Sequence, residues 1–152
     1  MDIGVVGLGK LGLPIALAIE MQGHTVMGYD INPDMMQKEK CAFRERGPKG
    51  EPSLEPFLQR SNLLFGSLAK VVKQSEIVFV AVQTPHEERF EGITPLPDER
   101  VDFDYSHLIK AVHDVSKEAS QAKKQISLVV ISTLLPGTVR SKLVPLTNKY
   151  VN

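Results

Sequence analysis

The segment Gly7–Gly12, which reads G-L-G-K-L-G, constrains the fold of this chain more than any other feature. It follows a short apolar run, Ile3–Val6, and opens a stretch with apolar residues at helical spacing. In a strand–turn–helix unit, Gly7 permits a tight turn, Gly9 leaves backbone bare and Gly12 lets the helix pack closely. The segment therefore predicts a parallel sheet whose first turn can hold a pyrophosphate at a helix N-terminus.

The rest of the chain continues to alternate short apolar runs with helical patterns. The five predicted strands are Ile3–Val6, Thr25–Tyr29, Leu63–Phe65, Ile77–Val82 and Ser127–Ile131. The predicted helices are Lys10–Gln22, Pro33–Lys40, Leu54–Arg60, Ser67–Gln74, Tyr105–Gln121 and Thr138–Thr147, the last interrupted near Pro145. This alternation predicts an α/β, Rossmann-type, doubly wound parallel sheet. With right-handed crossovers the expected strand order is 3-2-1-4-5, with a sixth strand missing or truncated.

Composition narrows the class of protein. A length of 152 residues suits a single domain over the whole chain. Since 18 Lys and Arg balance 18 Asp and Glu, we expect neither nucleic acid nor a membrane as a partner. Cys41 is the only cysteine, which argues against a disulfide within the chain and a cysteine-rich metal site. With no basic leader and no apolar run of about 18 residues, the expected location is cytoplasmic.

An acidic residue stands where the predicted fold would use one. Asp30 ends the second predicted strand, 18 residues after Gly12. A carboxylate there can accept hydrogen bonds from the ribose hydroxyls of adenosine. It also repels a 2′-phosphate, and the neighbours Ile31 and Asn32 offer no arginine to neutralise one, so NAD is predicted rather than NADP. The alternative is that Asp30 only caps a turn with Asn32.

Two polar segments follow the fourth and fifth predicted strands. They read V-Q-T-P at 82–85 and S-T-L-L-P-G-T at 132–138. Open α/β sheets bind ligands at the carboxyl ends of their strands, so these segments could meet the nicotinamide ribose and amide, or be ordinary polar exits from strands. The predicted cofactor-binding residues are Gly7, Leu8, Gly9, Lys10, Leu11, Gly12, Asp30, Val82, Gln83, Thr84, Pro85, Ser132 and Thr133.

Five segments in order resemble the nucleotide-sugar dehydrogenase family, the UDP-glucose and GDP-mannose dehydrogenases. They are GLGKLGLP at 7–14, GYDINP at 28–33, EPSL at 51–54, VQTP at 82–85 and STLLPGT at 132–138. The resemblance covers nearly the whole chain. It implies an N-terminal NAD-binding domain of an enzyme that oxidises the C6 alcohol of a UDP-sugar to a carboxylate with two NAD. It also places Thr133 at the nicotinamide end, where the family's threonine helps to position a catalytic water.

The same resemblance implies which catalytic residues of the family are absent from residues 1–152. The family's nucleophilic cysteine, lysine, asparagine and later glutamate all fall beyond residue 152, and Cys41 is no substitute. We therefore expect the substrate-binding and catalytic-cysteine parts to be absent and the isolated chain to be inactive. The UDP-sugar would be a partner of the full-length enzyme. A homodimer is a further expectation, because the fifth strand leaves an open edge.

The sequence departs from the family's pattern at several positions, so other functions stay open. Lys10 replaces a frequent aromatic residue, and Met35 stands where a basic residue is common, so adenosine affinity is expected to be weaker. The loop at 83–104 is long and could be a lid or a solvated surface loop. The alternative functions are a non-catalytic NAD-sensing regulatory domain and the cofactor domain of a hydroxyacid dehydrogenase. The presence of both VQTP and STLLPGT argues against the regulatory domain. The EPSL segment and the long loop argue against the hydroxyacid dehydrogenase domain.

Overall fold

The computed structural model describes residues 1–41, 53–90, 98 and 101–150. The strands are β1 Asp2–Val6, β2 Thr25–Tyr29, β3 Leu64–Phe65, β4 Ile77–Val80 and β5 Ser127–Val130. The α-helices are α1 Gly12–Met21, α2 Lys38–Cys41, α3 Glu55–Arg60, α4 Leu68–Gln74, α5 Ser106–Gln121 and α6 Val144–Thr147. Short 3-10 turns occupy Pro33–Met36 and Glu88–Phe90, and a π-helical turn occupies Val139–Leu143.

All five strands are parallel and their order is β3-β2-β1-β4-β5, as predicted. Val6, the last residue of β1, pairs with Tyr29 of β2 and with Val80 of β4. The carboxyl ends of these three strands therefore lie side by side at one edge of the sheet. Within the described residues there is no sixth strand, and β5 pairs with β4 alone.

Helices cover both faces of the sheet, and this explains the uninterrupted apolar runs of its strands. On one face α1 and α3 pack on β1 and β2 in a cluster that includes Val5, Leu13 and Leu58. On the other face α4 and α5 pack on the sheet in a second cluster around Val78 and Leu108. Burying each such side chain contributes about 1.5–3 kcal/mol relative to leaving it exposed.

Strand β4 and helix α1 are shorter than predicted, for a related reason. The chain turns away from the sheet at Gly7, so β4 loses its neighbour after Val80, and the amide of Ala81 makes one last bond to the Val6 carbonyl, at 2.8 Å. Helix α1 begins at Gly12 rather than Lys10, because the intervening residues form the turn.

Two predicted helices are interrupted. The helix expected over Pro33–Lys40 divides at Gln37, whose backbone is extended. Asn32 caps the start of the first piece, since its side chain accepts a bond from the Asp34 amide at 3.1 Å. The predicted helix at 138–147 starts as a π-helical turn ahead of Pro145. Proline has no N–H to donate into the preceding turn, so Pro145 cannot continue that turn's α-helical bonding, although it is accepted near the start of α6.

Some expectations fall on residues outside the described ranges. Glu51 and Pro52 of the EPSL segment are among them, as is most of 91–100.

In the parts of the chain that the structure describes, no helix is long and apolar enough to cross a membrane. Those parts also hold no group of three or more His, Cys, Asp or Glu side chains suited to a metal ion.

Helix α5 ends on an unfavourable backbone conformation that a substitution can relieve. Lys123 has a φ of 50°, and its N–H donates to the Ser120 carbonyl while that of Lys124 donates to Ala119. Glycine is the usual residue at this position of such a helix end, because a Cβ makes the left-handed conformation cost about 1 kcal/mol or more. We expect Lys123→Gly to raise the free energy of unfolding by about 0.5–1 kcal/mol in urea denaturation.

The matched control for this prediction is Lys124→Gly. It removes the same charge from the next residue, which does not have a positive φ. Glycine there adds freedom to the unfolded chain and also removes the bond from Lys124 Nζ to the Lys73 carbonyl, so this variant should be less stable than the wild type. A lower unfolding midpoint for Lys123→Gly as well would contradict the account of strain at the helix end.

Candidate functional site

The glycine turn after β1 is folded so tightly that side chains are excluded at two positions. Gly7 has a φ of 93°, and a Cβ there would lie 2.4 Å from the backbone oxygen of Ala81. A Cβ on Gly12 would lie only 1.8 Å from the carbonyl oxygen of Gly7. The first turn of α1 therefore rests directly on the end of β1, beside the exit of β4.

The outer side of the same turn is open. A Cβ built on Gly9 meets nothing within 4 Å, and no side chain caps α1 at Leu11. Within the described residues, no protein group accepts a bond from the amides of Gly9, Lys10, Leu11 or Gly12. Free amides at a helix N-terminus, with the positive end of its dipole, suit a bound anion. The predicted pyrophosphate therefore fits this turn, where bare backbone leaves a cradle that a larger side chain would fill.

Asp30 points at the glycine turn rather than away from it. Its Oδ2 accepts a bond from the Leu8 amide at 2.7 Å, and its Oδ1 accepts one from the Asn32 amide at 2.8 Å. The carboxylate thus does cap a turn with Asn32, as the alternative interpretation held. A carboxylate has about four lone-pair positions, so both oxygens can still accept further bonds from a ligand. The cap and a ribose-binding role are compatible.

Leu8 contributes to this arrangement from inside the protein. Its side chain is fully buried and packs so closely on β2 that a Cβ on Gly28 would lie 2.8 Å from Leu8 Cδ2. Its amide is already bound to Asp30. Of the predicted cofactor-binding residues, Leu8 therefore presents no side-chain surface to a ligand and instead orients Asp30.

Ile31 and Met35 entered the sequence analysis only as positions without a basic residue, and the structure adds where each side chain lies. Ile31 directly follows Asp30 and is 81% exposed, so an apolar surface stands beside the carboxylate. Met35 is 5% exposed and belongs to the first core cluster, so that position faces the protein interior. An aliphatic residue immediately after the strand-ending acid was the available signal for Ile31.

The two polar segments at the ends of β4 and β5 are joined to each other. The Ser132 hydroxyl donates to the Val82 carbonyl at 2.7 Å, across 50 residues of sequence. Val82 packs against the second core cluster, whereas Gln83, Pro85 and Thr133 are exposed. Because Gly7 lies against Ala81, the structure brings both predicted segments and the glycine turn to one edge of the sheet.

The segment that leads into α5 returns to this edge. The Asp104 amide donates to the Pro85 carbonyl at 2.8 Å, and the His86 ring meets the Phe103 ring edge-to-face with centroids 6.0 Å apart. The backbone hydrogen bond from Ser106 holds the pKa of the Asp104 carboxyl below its usual value. Most residues at 91–100 lie outside the described ranges, so the predicted lid stays a prediction.

A second polar cluster lies along α5. His113 Nδ1 lies 3.0 Å from Asp114 Oδ1, and His113 Nε2 lies 2.6 Å from the Tyr150 hydroxyl. Although burial acts to raise it, hydrogen bonds from Lys110 and His113 keep the pKa of the Asp114 carboxyl below its usual value. These contacts fasten Tyr150 to α5, about two helical turns from the helix end at the site.

Comparison with known proteins gives one consistent answer. The family model described as "UDP-glucose/GDP-mannose dehydrogenase family, NAD binding domain" matches residues 1–152. GDP-mannose 6-dehydrogenase of Pseudomonas aeruginosa is 28% identical over 96% of this chain and 31% of its own length. UDP-N-acetyl-D-mannosamine dehydrogenase of Pyrococcus horikoshii is 30% identical over 91% of this chain and 30% of its own. The chain therefore spans under a third of these relatives.

Solved structures agree with the sequence matches. A UDP-glucose dehydrogenase from Pyrobaculum islandicum superposes with a TM-score of 0.78 at 26% identity, covering 98% of this chain and 32% of that one. A ternary complex of GDP-mannose dehydrogenase from Pseudomonas aeruginosa gives the same TM-score and identity, over 99% of this chain and 32% of that one. The similarity extends across the described fold, including the edge that carries the glycine turn.

Proposed function

Because this chain belongs to the UDP-glucose/GDP-mannose dehydrogenase family as an NAD-binding domain, we propose that it serves the oxidation of the C6 alcohol of a UDP-sugar to a carboxylate. NAD supplies the redox chemistry by accepting a hydride in each of two steps, four electrons in all. The family match supports the substrate class, and the observation that carries the cofactor role is the open backbone at Gly9, over the uncapped start of α1 and beside Asp30. GDP-mannose, named in several relatives, is the competing substrate.

The proposed roles follow the two ends of a dinucleotide. The turn at Gly7–Gly12 holds the pyrophosphate with backbone amides, and Lys10 adds a positive charge. Asp30 accepts bonds from the adenosine ribose, and the exposed side chain of Ile31 covers one face of the adenine. These roles are supported by the free amides, the carboxylate oriented towards the turn and the 81% exposure of Ile31.

At the other end, the segments at 82–85 and 132–138 border the nicotinamide half. Val82, Gln83, Thr84 and Pro85 would line the cofactor, and Ser132 would hold the two segments together through its bond to Val82. Thr133, exposed beside Ser132, is proposed as the catalytic residue that positions a water for the second oxidation. The support is that these residues meet at the edge that carries the glycine turn.

We further propose that residues 1–152 bind the cofactor without oxidising a sugar by themselves. The reaction also needs a general base and a thiolate to hold the aldehyde. Cys41 ends α2, on the segment that follows β2, and does not belong to either loop after β4 or β5. The proposed homodimer would use the edge of β5, which pairs with one strand only in the described part of the chain.

Isothermal titration calorimetry tests the proposal on the chain as it stands. We expect binding of NAD, weaker binding of NADP, and no measurable heat with UDP-glucose or GDP-mannose. Equal or tighter binding of NADP would contradict the role of Asp30. Reduction of NAD by the isolated chain in the presence of either sugar nucleotide would contradict the claim that these residues are insufficient.

Asp30→Ala tests the adenosine end. We expect NAD affinity to fall by about 1–2 kcal/mol, since hydrogen bonds to a charged acceptor are lost. NADP should lose less, because the charge that repels its 2′-phosphate is also removed, so the preference for NAD shrinks. Calorimetry with both cofactors measures the two affinities.

Asp34→Ala is the matched control for this prediction. Asp34 lies four residues along the chain, is about half exposed and is paired with Lys40 at 2.9 Å. The variant changes the net charge equally but leaves the carboxylate at the glycine turn in place. Its ratio of NAD to NADP affinity should equal that of the wild type. A matching shift in both variants would mean that general charge, not Asp30, sets the preference.

A further inference from the structure

Tyr105 joins two segments of the site from inside the protein. The residue is 4% exposed, and its ring belongs to the second core cluster. Its hydroxyl donates to Asp102 Oδ1 at 2.6 Å and accepts a bond from the Leu135 amide at 3.2 Å. One phenol therefore connects the residues that precede α5 with the loop that follows β5.

The surroundings of Tyr105 leave its ring little freedom. The Phe103 ring lies with its centroid 6.3 Å away, and Lys142 Nζ lies 5.6 Å from the centroid of the Tyr105 ring. The neighbouring Asp104 amide is bound to the Pro85 carbonyl. The hydroxyl therefore occupies a defined position relative to both loops, and it can transmit that position to the Leu135 backbone.

The loop after β5 is consequently held at two points. Ser132 is anchored by its hydroxyl to Val82, and Leu135 is anchored by its amide to Tyr105. Thr133 lies between these anchors and is exposed. Backbone fixed on both sides of a residue sets the direction of its side chain at little further entropic cost.

We propose that Tyr105 is a positioning residue, whose hydroxyl holds residues 132–135 so that Thr133 faces the nicotinamide half of bound NAD. The inference rests on the proposed role of Thr133 and extends it to a residue that need not touch the cofactor. It predicts that the Tyr105 hydroxyl matters for the nicotinamide half and not for the adenosine diphosphate half. That division separates positioning from a general contribution to stability.

The test is Tyr105→Phe, titrated with NAD and with ADP-ribose, which lacks only the nicotinamide. We expect NAD affinity to fall about three- to tenfold and ADP-ribose affinity to stay within about twofold. The fluorescence of bound NADH, which reports the surroundings of the nicotinamide, should shift towards that of free NADH. Tyr150→Phe is the matched control, because it removes a hydroxyl that is bound to His113 instead. It should leave both affinities and the fluorescence unchanged.

A second variant keeps the test decisive if Tyr105→Phe does not fold. Asp102→Ala removes the exposed acceptor that orients the Tyr105 hydroxyl and keeps the buried ring. It should lower NAD affinity in the same direction by a smaller factor, again without affecting ADP-ribose. Equal losses for the two ligands, or no loss in either variant, overturn the positioning role. A wild-type chain that binds neither ligand would instead overturn the assigned cofactor site.

Discussion

Gly12→Ala is expected to lower the free energy of unfolding by about 3 kcal/mol or more, a large share of what holds a domain of this size together. The added methyl would lie 1.8 Å from the carbonyl oxygen of Gly7 and 3.2 Å from the Ala81 side chain. The closest obstacle is backbone, which cannot rotate away as a flexible side chain would. Either α1 must move off the sheet or the turn at Gly7 must open.

The measurement is urea denaturation followed by circular dichroism, with thermal unfolding beside it. For a chain of this length, 3 kcal/mol corresponds to a fall in melting temperature of about 6–12 °C. Gly9→Ala is the control, since it makes the same substitution three residues earlier in the same turn, where a Cβ meets nothing within 4 Å. It should unfold at or slightly above the wild-type midpoint. Equal stability of the two variants would mean that α1 does not pack on the end of β1 as described.

The fold could be predicted from local patterns because apolar runs, helical spacing and turn residues all indicate the same elements. Apolar runs bounded by glycine and polar residues gave all five strands, and the rule of right-handed crossovers then left one natural strand order. The caps were equally predictable, because Asn32 and Ser67 are residue types whose side chains accept bonds from the amides that follow them.

The interruptions were less predictable, because they depend on tertiary contacts. Nothing local required the break at Gln37, which lies between the buried Met35 and the start of α2. The early end of β4 follows from the turn of another strand at Gly7. Pro145 did announce an irregularity, but its form, a π-helical turn ahead of α6, was not evident from residue types.

The parts of the site also differ in how far the sequence predicts them. The glycine turn and Asp30 could be recognised because the chemistry depends on residue type and short spacing. The links from Ser132 to Val82 and from Leu135 to Tyr105 join residues that are 50 and 30 positions apart, and each uses a backbone group that every residue possesses. Such contacts leave no pattern in the sequence. The residues that could touch a cofactor were therefore evident from the sequence, whereas Tyr105, whose hydroxyl is bound to the loop that carries Ser132 and Thr133, was not.

Gly9→Val is expected to reduce NAD affinity about tenfold to a hundredfold while the chain stays folded. Gly9 does not have a positive φ and a Cβ there meets nothing within 4 Å, so we expect the free protein to accommodate a branched side chain. In the complex, that side chain would stand where the pyrophosphate is proposed to meet the backbone, and such crowding costs about 1–3 kcal/mol. Calorimetry measures the affinity, and denaturation shows that stability is retained.

The pattern across ligands makes this prediction specific to the diphosphate. ADP-ribose and ADP contain the same two phosphates, so Gly9→Val should weaken both by about the factor seen for NAD, whereas Tyr105→Phe should spare them. Gly9→Ala should also weaken the binding of NAD, ADP-ribose and ADP, but by a smaller factor, because its side chain is smaller. The two substitutions therefore test different parts of the cofactor. Gly9→Val should weaken the binding of every ligand that carries the diphosphate, and Tyr105→Phe only of those that carry nicotinamide. Wild-type NAD affinity in Gly9→Val would show that the diphosphate does not lie on this turn.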